Sequence, residues 1–140
     1  MRYEDVYPVV FVHDLSTTTE FYSRTLGLDV IFRADFFVLL ALPGESRAAV
    51  GFVLEDHPTS PPEGRAATPG SSVFLTLHVA DAAEAYEQLV QGGTVISYQL
   101  RDEPWGQRRF GVQDPNGLYV DIVEQIQPSP DFWPRYGVSD

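Results

Sequence analysis

The stretch PWGQRRFGVQDPNGLYVDIVEQI, residues 104–126, gathers half of the side chains in this chain that could recognise a small molecule. Alternation along Arg108-Arg109-Phe110-Gly111-Val112 sends Phe110 and Val112 to one face of a strand, and Arg109 with the bare Gly111 to the other. The same period places Asp121 on the side of Tyr119. Two roles are open to Arg109: meeting an anionic or carbonyl oxygen of a ligand, or pairing with Asp121. Asp121 in turn could accept a hydrogen bond from a cationic or hydroxylated ligand, and Gly111 leaves room above the sheet. Trp105, between Pro104 and Gly106, is awkward to bury fully and is placed to close over a cavity. The run Asp114-Pro115-Asn116-Gly117 reads as the turn that positions the last strand.

Other reactive groups are scarce. The chain has no cysteine, which removes thiolate nucleophiles, thiolate ligands and any disulfide framework, and fits a reducing compartment. Of its three histidines, His13 falls in a turn, His57 heads a Pro/Gly-rich segment, and only His78 sits on a strand, on the face of Phe74. A histidine so placed reads first as a hydrogen-bonding side chain at a cavity edge, and second as a ligand or catalytic base.

Charge narrows the partners. The net charge is −11 and all nine basic residues are arginines, so no lysine-rich patch exists to neutralise phosphates, and nucleic acid is not an expected partner. The acidity reads as a solvated surface that would also steer a basic ligand inward. With 44% hydrophobic and 13% aromatic residues in 140, the composition fits one globular domain with a substantial core. The start, MRYEDVYPVV, is acidic where a secretory signal is basic, and no apolar run approaches a membrane span. A cytoplasmic protein without membrane partners is expected.

The positioning elements come as a repeat. VVFVHDLSTTTEFYSRTLGLDV (9–30) reads as an apolar strand, an Asp-containing turn, a helix and a glycine stop, and TLHVADAAEAYEQLVQGGTVIS (76–97) repeats it. Val12 and Asp14 match Val79 and Asp81 at an offset of 67 (79 − 12 and 81 − 14), and Gly27 matches Gly93 within one residue of it. Three further strands follow each helix, at about 29–33, 36–42 and 48–55, then at about 95–99, 108–113 and 118–124. Phe21, Tyr22 and Tyr86, on the helices, are read as core. This predicts an α+β fold of two tandem βαβββ modules, about 5–56 and 71–126, joined by a Pro/Gly-rich linker 57–70 and followed by a tail 127–140. The modules are expected to form a curved, partly closed mixed sheet around a central cavity, with helices behind. The tail carries Phe132, Trp133 and Tyr136 between prolines; its own chain, a partner subunit or the cavity mouth could cover them.

These two repeats and the closing hairpin resemble the vicinal oxygen chelate superfamily, which includes glyoxalase I, extradiol dioxygenases, fosfomycin-resistance enzymes and bleomycin-resistance proteins. The resemblance implies four symmetric positions where such enzymes hold a divalent metal through His, Glu or Gln. Here the first-strand positions become Tyr7 and Phe74, again 67 apart (74 − 7), the last strand offers Asp121, and its first-module counterpart falls near Leu54, between Gly51 and Glu55. Loss of both first-strand donors should remove the metal, so neither metal nor other cofactor is expected. Tyr7, Phe11, Phe74 and Tyr119 would instead line an apolar, flat-walled pocket. The resemblance also implies a homodimer.

Two functions follow. The first is a metal-independent protein of the bleomycin-resistance kind that sequesters an antibiotic or similar aromatic metabolite, binding through Tyr7, Phe11, Phe74, His78, Trp105, Arg109, Tyr119 and Asp121, with no catalytic residue. The alternative is a lyase, isomerase or dioxygenase, either metal-dependent with displaced ligands or metal-free with Asp121 or His78 as acid or base.

Overall fold

The computed structural model describes residues 1–2, 4–55, 57–59 and 73–136. Strand β1 (Val9–Val12) leads into helix α1 (Leu15–Glu20), which widens into a π-helical turn (Phe21–Thr25) before β2 (Asp29–Arg33), β3 (Phe37–Ala41) and β4 (Val50–Leu54). The order then recurs as β5 (Phe74–His78), α2 (Ala82–Gln91), β6 (Ile96–Glu103), β7 (Gln107–Gln113) and β8 (Tyr119–Gln125), followed by a short α3 (Phe132–Arg135). Two four-stranded mixed sheets result, ordered β1-β4-β3-β2 and β5-β8-β7-β6. In each, the first pair is parallel and the other two antiparallel. The α+β class and the βαβββ order agree with the sequence.

The repeat survives down to the caps. Asp14 and Asp81 both have extended backbones, and each accepts from the amide three residues on, Thr17 or Glu84, at 3.0 Å. Such a carboxylate satisfies one of the orphan N–H groups of a helix's first turn. Gly27 (φ +79°) and Gly93 (φ +81°) end the two helical segments in the left-handed conformation that only glycine adopts freely.

The chain divides into two compact units, Met1–Val73 with Asp114–Leu118, and Phe74–Gln113 with Tyr119–Asp140. In the first, the sheet face made by Val10, Val12, Val38, Leu40 and Phe52 is sealed, and Tyr22 lies against Phe52 at 4.6 Å between ring centroids. Tyr22 is fully buried as expected, Phe21 only half so. The β7–β8 turn is part of this unit. The buried Asp114 carboxylate accepts from the amides of Asn116 (2.8 Å) and Leu118 (2.9 Å) and from the Tyr22 hydroxyl (3.1 Å), while Asn116 donates to Thr18 Oγ1. In the second unit Phe110, Val112, Val120 and Ile122 form the sealed face, and the half-buried Tyr86 of α2 meets Phe110 edge-on. From residue 60 onward the linker 57–70 lies outside the described residues, as do the tail's last four; at its start His57 stacks on Phe36, 4.1 Å and 3° apart. No described helix is long and apolar enough to cross a membrane.

Candidate functional site

The second unit's other sheet face carries the polar chemistry. Register sets three rows across it: Phe74 and Tyr119; Thr76, Asp121, Gly111 and Tyr98; and His78, Val123, Arg109 and Arg101. Paired residues in a sheet project to the same side, so Phe74, His78, Arg109, Tyr119 and Asp121 share this face. Phe74 and Tyr119, direct neighbours, are 63% and 55% exposed, and His78 is exposed at the end of β5.

At the centre of the face Arg109 is locked. Its Nη1 donates to Asp121 Oδ2 at 2.7 Å, and its Nε and Nη2 donate to Glu103 Oε2 at 2.9 and 2.6 Å. Its guanidinium carbon lies 4.9 Å from the Trp105 ring centroid and 5.3 Å from that of Tyr98. The Glu103 and Asp121 side chains keep only 11% and 13% of their exposure, so these charge-assisted bonds form in a largely water-poor setting. Arg101, 3.4 Å from Glu103 and over the Tyr98 ring at 4.7 Å, supplies a second positive charge and brings the cluster to neutrality. Of the two roles open to Arg109, the structure shows the pair with Asp121.

Gly111 does leave room, but an aromatic ring of this chain takes it. A Cβ on Gly111 would fall 2.3 Å from Tyr98 Cε1 and 2.5 Å from Cδ1, so the Tyr98 ring lies across the bare backbone. The Tyr98 hydroxyl is buried and, among the described residues, meets no partner at full hydrogen-bond geometry; its burial, and then the nearby Asp121 carboxylate, push its pKa up against the opposing pull of Arg109 and Arg101. Sequence reasoning missed Tyr98 and Glu103. Strand β6 runs on to Glu103, and register shifts after Ile96 and after Tyr98 interrupt its alternation. Tyr98, Arg101 and Glu103 therefore face one way where a strict period of two would select Leu100 and Asp102.

Trp105 occupies the β6–β7 turn and is half-buried. Its Nε1 donates to Gln107 Oε1 at 2.9 Å, and its ring meets Arg109 and, at 5.8 Å, Phe132. Thus two of the tail's aromatics lie on their own chain: Phe132 against Trp105, and Trp133 through a 2.8 Å hydrogen bond from Nε1 to the Trp105 carbonyl. Tyr136 rests against Phe132 but is 66% exposed.

The first unit's corresponding sheet face is apolar. Val9, Phe37 and Leu39 crowd above Gly51, whose Cβ would meet all three at 3.1–3.3 Å, and Phe11 and Val53 are paired beside them. Tyr7 lies two residues ahead of β1 rather than on it. Of residues 51–55, the register turns Gly51 and Val53 toward the face of Phe11; Glu55, beyond the strand, pairs with His13 Nδ1 at 2.5 Å. Transition-metal chemistry does not fit these positions: Phe74, Gly51 and Val53 have no side-chain donor atom, and Asp121 is bound to Arg109. Among the described residues no group of three or more His, Asp or Glu is arranged to hold a metal ion.

Residues 6–122 match the model of the Glyoxalase/Bleomycin resistance protein/Dioxygenase superfamily. A superfamily member from Sphaerobacter thermophilus DSM 20745 is 27% identical, with a TM-score of 0.72 over 89% of this chain and 98% of that one. A virulence protein from Salmonella typhimurium is 20% identical, with a TM-score of 0.72 over 90% of this chain and 100% of its own. TnmS3, an antibiotic binding protein from Streptomyces sp. CB03234, is 24% identical, with a TM-score of 0.65 over 89% and 97%. At these last two identities the likeness is one of fold. No curated protein matches in sequence.

Proposed function

Because the chain belongs to the glyoxalase/bleomycin resistance protein/dioxygenase superfamily, we propose that it is a metal-independent binding protein that sequesters a planar small molecule, an antibiotic or similar aromatic metabolite. The observation that carries this reading is the exposed Phe74–Tyr119 pair beside a neutralised ion cluster. Two adjacent rings on a rigid sheet offer a stacking surface worth on the order of 1 kcal/mol per aromatic contact beyond area burial. Arg109 and Asp121 border that surface, with Trp105 over Arg109, and His78 stands at its end. Asp121 already serves as the acceptor for Arg109 at 2.7 Å, a structural role that favours binding over acid–base chemistry at this carboxylate. Antibiotic binding by the structural neighbour TnmS3 supports the ligand class.

The test is a fluorescence titration of the full chain with a panel of planar aromatic antibiotics, beside metal analysis of protein purified without chelator. At least one compound is expected to bind stoichiometrically, with affinity falling about tenfold in Phe74→Ala and in Tyr119→Ala, the loss of roughly 1.4 kcal/mol expected for one stacked ring. A stoichiometric transition metal, or affinity untouched by both variants, would refute the reading.

A further inference from the structure

The tail begins where the last strand ends, and it does not leave the molecule. Beyond Gln125 the chain folds back over the β6–β7 turn and bonds to each of its three residues: Ile126 N–H to the Gly106 carbonyl (2.9 Å), Ser129 N–H to that of Pro104 (2.9 Å), and Trp133 Nε1–H to that of Trp105 (2.8 Å). Gly106 is shaped for this contact. It has φ +105°, and a Cβ there would fall 3.0 Å from the Ile126 carbonyl and 3.2 Å from Pro128 Cβ. Phe132 then meets both Trp105 (5.8 Å) and, edge-on, Trp133 (5.1 Å).

We infer that residues 126–136 are a strap that holds Trp105 over Arg109, making Phe132 and Trp133 positioning residues for the ion cluster on the sheet face. The physical reason is that a three-residue turn has little means of fixing a large ring by itself. Within the turn itself Gly106 N–H donates to the Glu103 carbonyl, and the Trp105 side chain is held by one hydrogen bond, to Gln107. The strap adds three further bonds and an aromatic contact, so the ring stays where it excludes water from Arg109. With the strap displaced, Trp105 gains rotational freedom, and the Arg109 guanidinium is hydrated on the side the ring now covers. Its bonds to Glu103 and Asp121 can persist, but they become exposed and exchange readily. The geometric claim stands apart from the binding reading; its consequence for a ligand rests on that reading.

Arginine side-chain Nε–H exchange, followed by ¹H–¹⁵N spectroscopy on the full-length protein, tests the strap with no ligand present. Arg109→Lys assigns the signal. The Arg109 Nε–H should be protected and ring-shifted in the parent, and its protection should fall by about tenfold or more in both Phe132→Ala and Trp133→Ala, with Phe132→Tyr retaining it. Val38→Ala, a core truncation in the first unit, is the control for general loss of stability and should leave that protection at its parental value relative to neighbouring amides. Protection unchanged in both tail variants, or lost equally in Val38→Ala, overturns the inference. Failure of every antibiotic to bind would refute the proposed function alone, while the exchange data would still decide the strap.

Discussion

Replacing Gly111 by alanine gives the sharpest check on how the second unit's sheet face is built. The new methyl carbon would stand 2.3 Å from Tyr98 Cε1, with Ser97 Oγ 2.7 Å away. Carbon atoms settle near about 3.5 Å, so the ring must retreat by roughly 1.2 Å, whereas the serine hydroxyl can rotate away. Retreat weakens the contacts of Arg101 and Arg109 with the ring, each worth about 0.5–1 kcal/mol in a partly exposed setting. Overpacking of this kind costs roughly 1–3 kcal/mol, against a gain of about 0.5–1 kcal/mol from stiffening the unfolded chain. Gly111 has no positive φ, so no backbone strain enters. The net expectation is a loss of about 1–2 kcal/mol, read from urea midpoints at constant slope. In a Tyr98→Ala background the clash is gone, and the same substitution should be neutral or slightly stabilising. A Gly111→Ala cost below about 0.5 kcal/mol in the parent, or an equal cost in both backgrounds, would refute this account of the face.

Other perturbations address the ion cluster and the buried tyrosines. Arg109→Met strands the Glu103 and Asp121 carboxylates at low exposure and should destabilise by about 2–3 kcal/mol, somewhat less than a fully buried broken pair, as measured by thermal and urea melts. Burial first, and then Asp114, raise the pKa of Tyr22, while burial and Asp121 raise that of Tyr98. A raised tyrosine pKa favours the protonated fold, so this stability is fully present below the unfolded value near pH 10 and is lost as pH climbs toward the folded values. Phenolate absorbance should therefore lag for these two residues until alkaline unfolding, and Tyr22→Phe should remove one of the two late components. Asp114→Ala leaves two turn amides and the Tyr22 hydroxyl short of an acceptor and should cost about 2–3 kcal/mol by thermal melt, with Asp114→Asn recovering part of it.

Those elements that follow from local rules were legible in the sequence. Period-two alternation and glycine stops placed the eight strands of the described residues to within a few residues, and the turn residues Asp14 and Asp81 prove to be the N-caps of the helices that follow them, acting on amides three residues away. The side of the sheet taken by Arg109, Tyr119 and Asp121 was legible for the same reason. Partner choice was not. Arg109 met Asp121 as one of two readings, but Glu103 lay hidden behind the shifted register of β6, and the occupant of the space above Gly111 could not be named without knowing which β6 residue sits opposite it. The docking of the tail depends on Gly106 and Pro128, which meet only after β7 and β8 have formed, so composition could indicate that rings needed cover without saying which turn would supply it.

The two modules share a scaffold and differ in chemistry, and the difference is confined to one face. The helix-side rows are apolar in both, Val10, Val12, Val38, Leu40 and Phe52 in the first unit and Phe110, Val112, Val120 and Ile122 in the second, because a helix must be packed there in either case. No such demand acts on the opposite faces, which have diverged to Val9, Phe37, Leu39 and Val53 around Gly51 in one, and to Arg109, Asp121 and Glu103 around Tyr98 and Gly111 in the other. A glycine in each sheet lets bulky side chains lie across the strand, yet in the first unit those side chains present carbon alone. Of these two sheet faces, only the second unit's offers charged side chains for recognition by hydrogen bonds or charge. Under the proposed binding function, that asymmetry makes the Arg109 cluster, with the strap that holds Trp105 over it, the place where substitutions should change ligand selectivity as well as affinity.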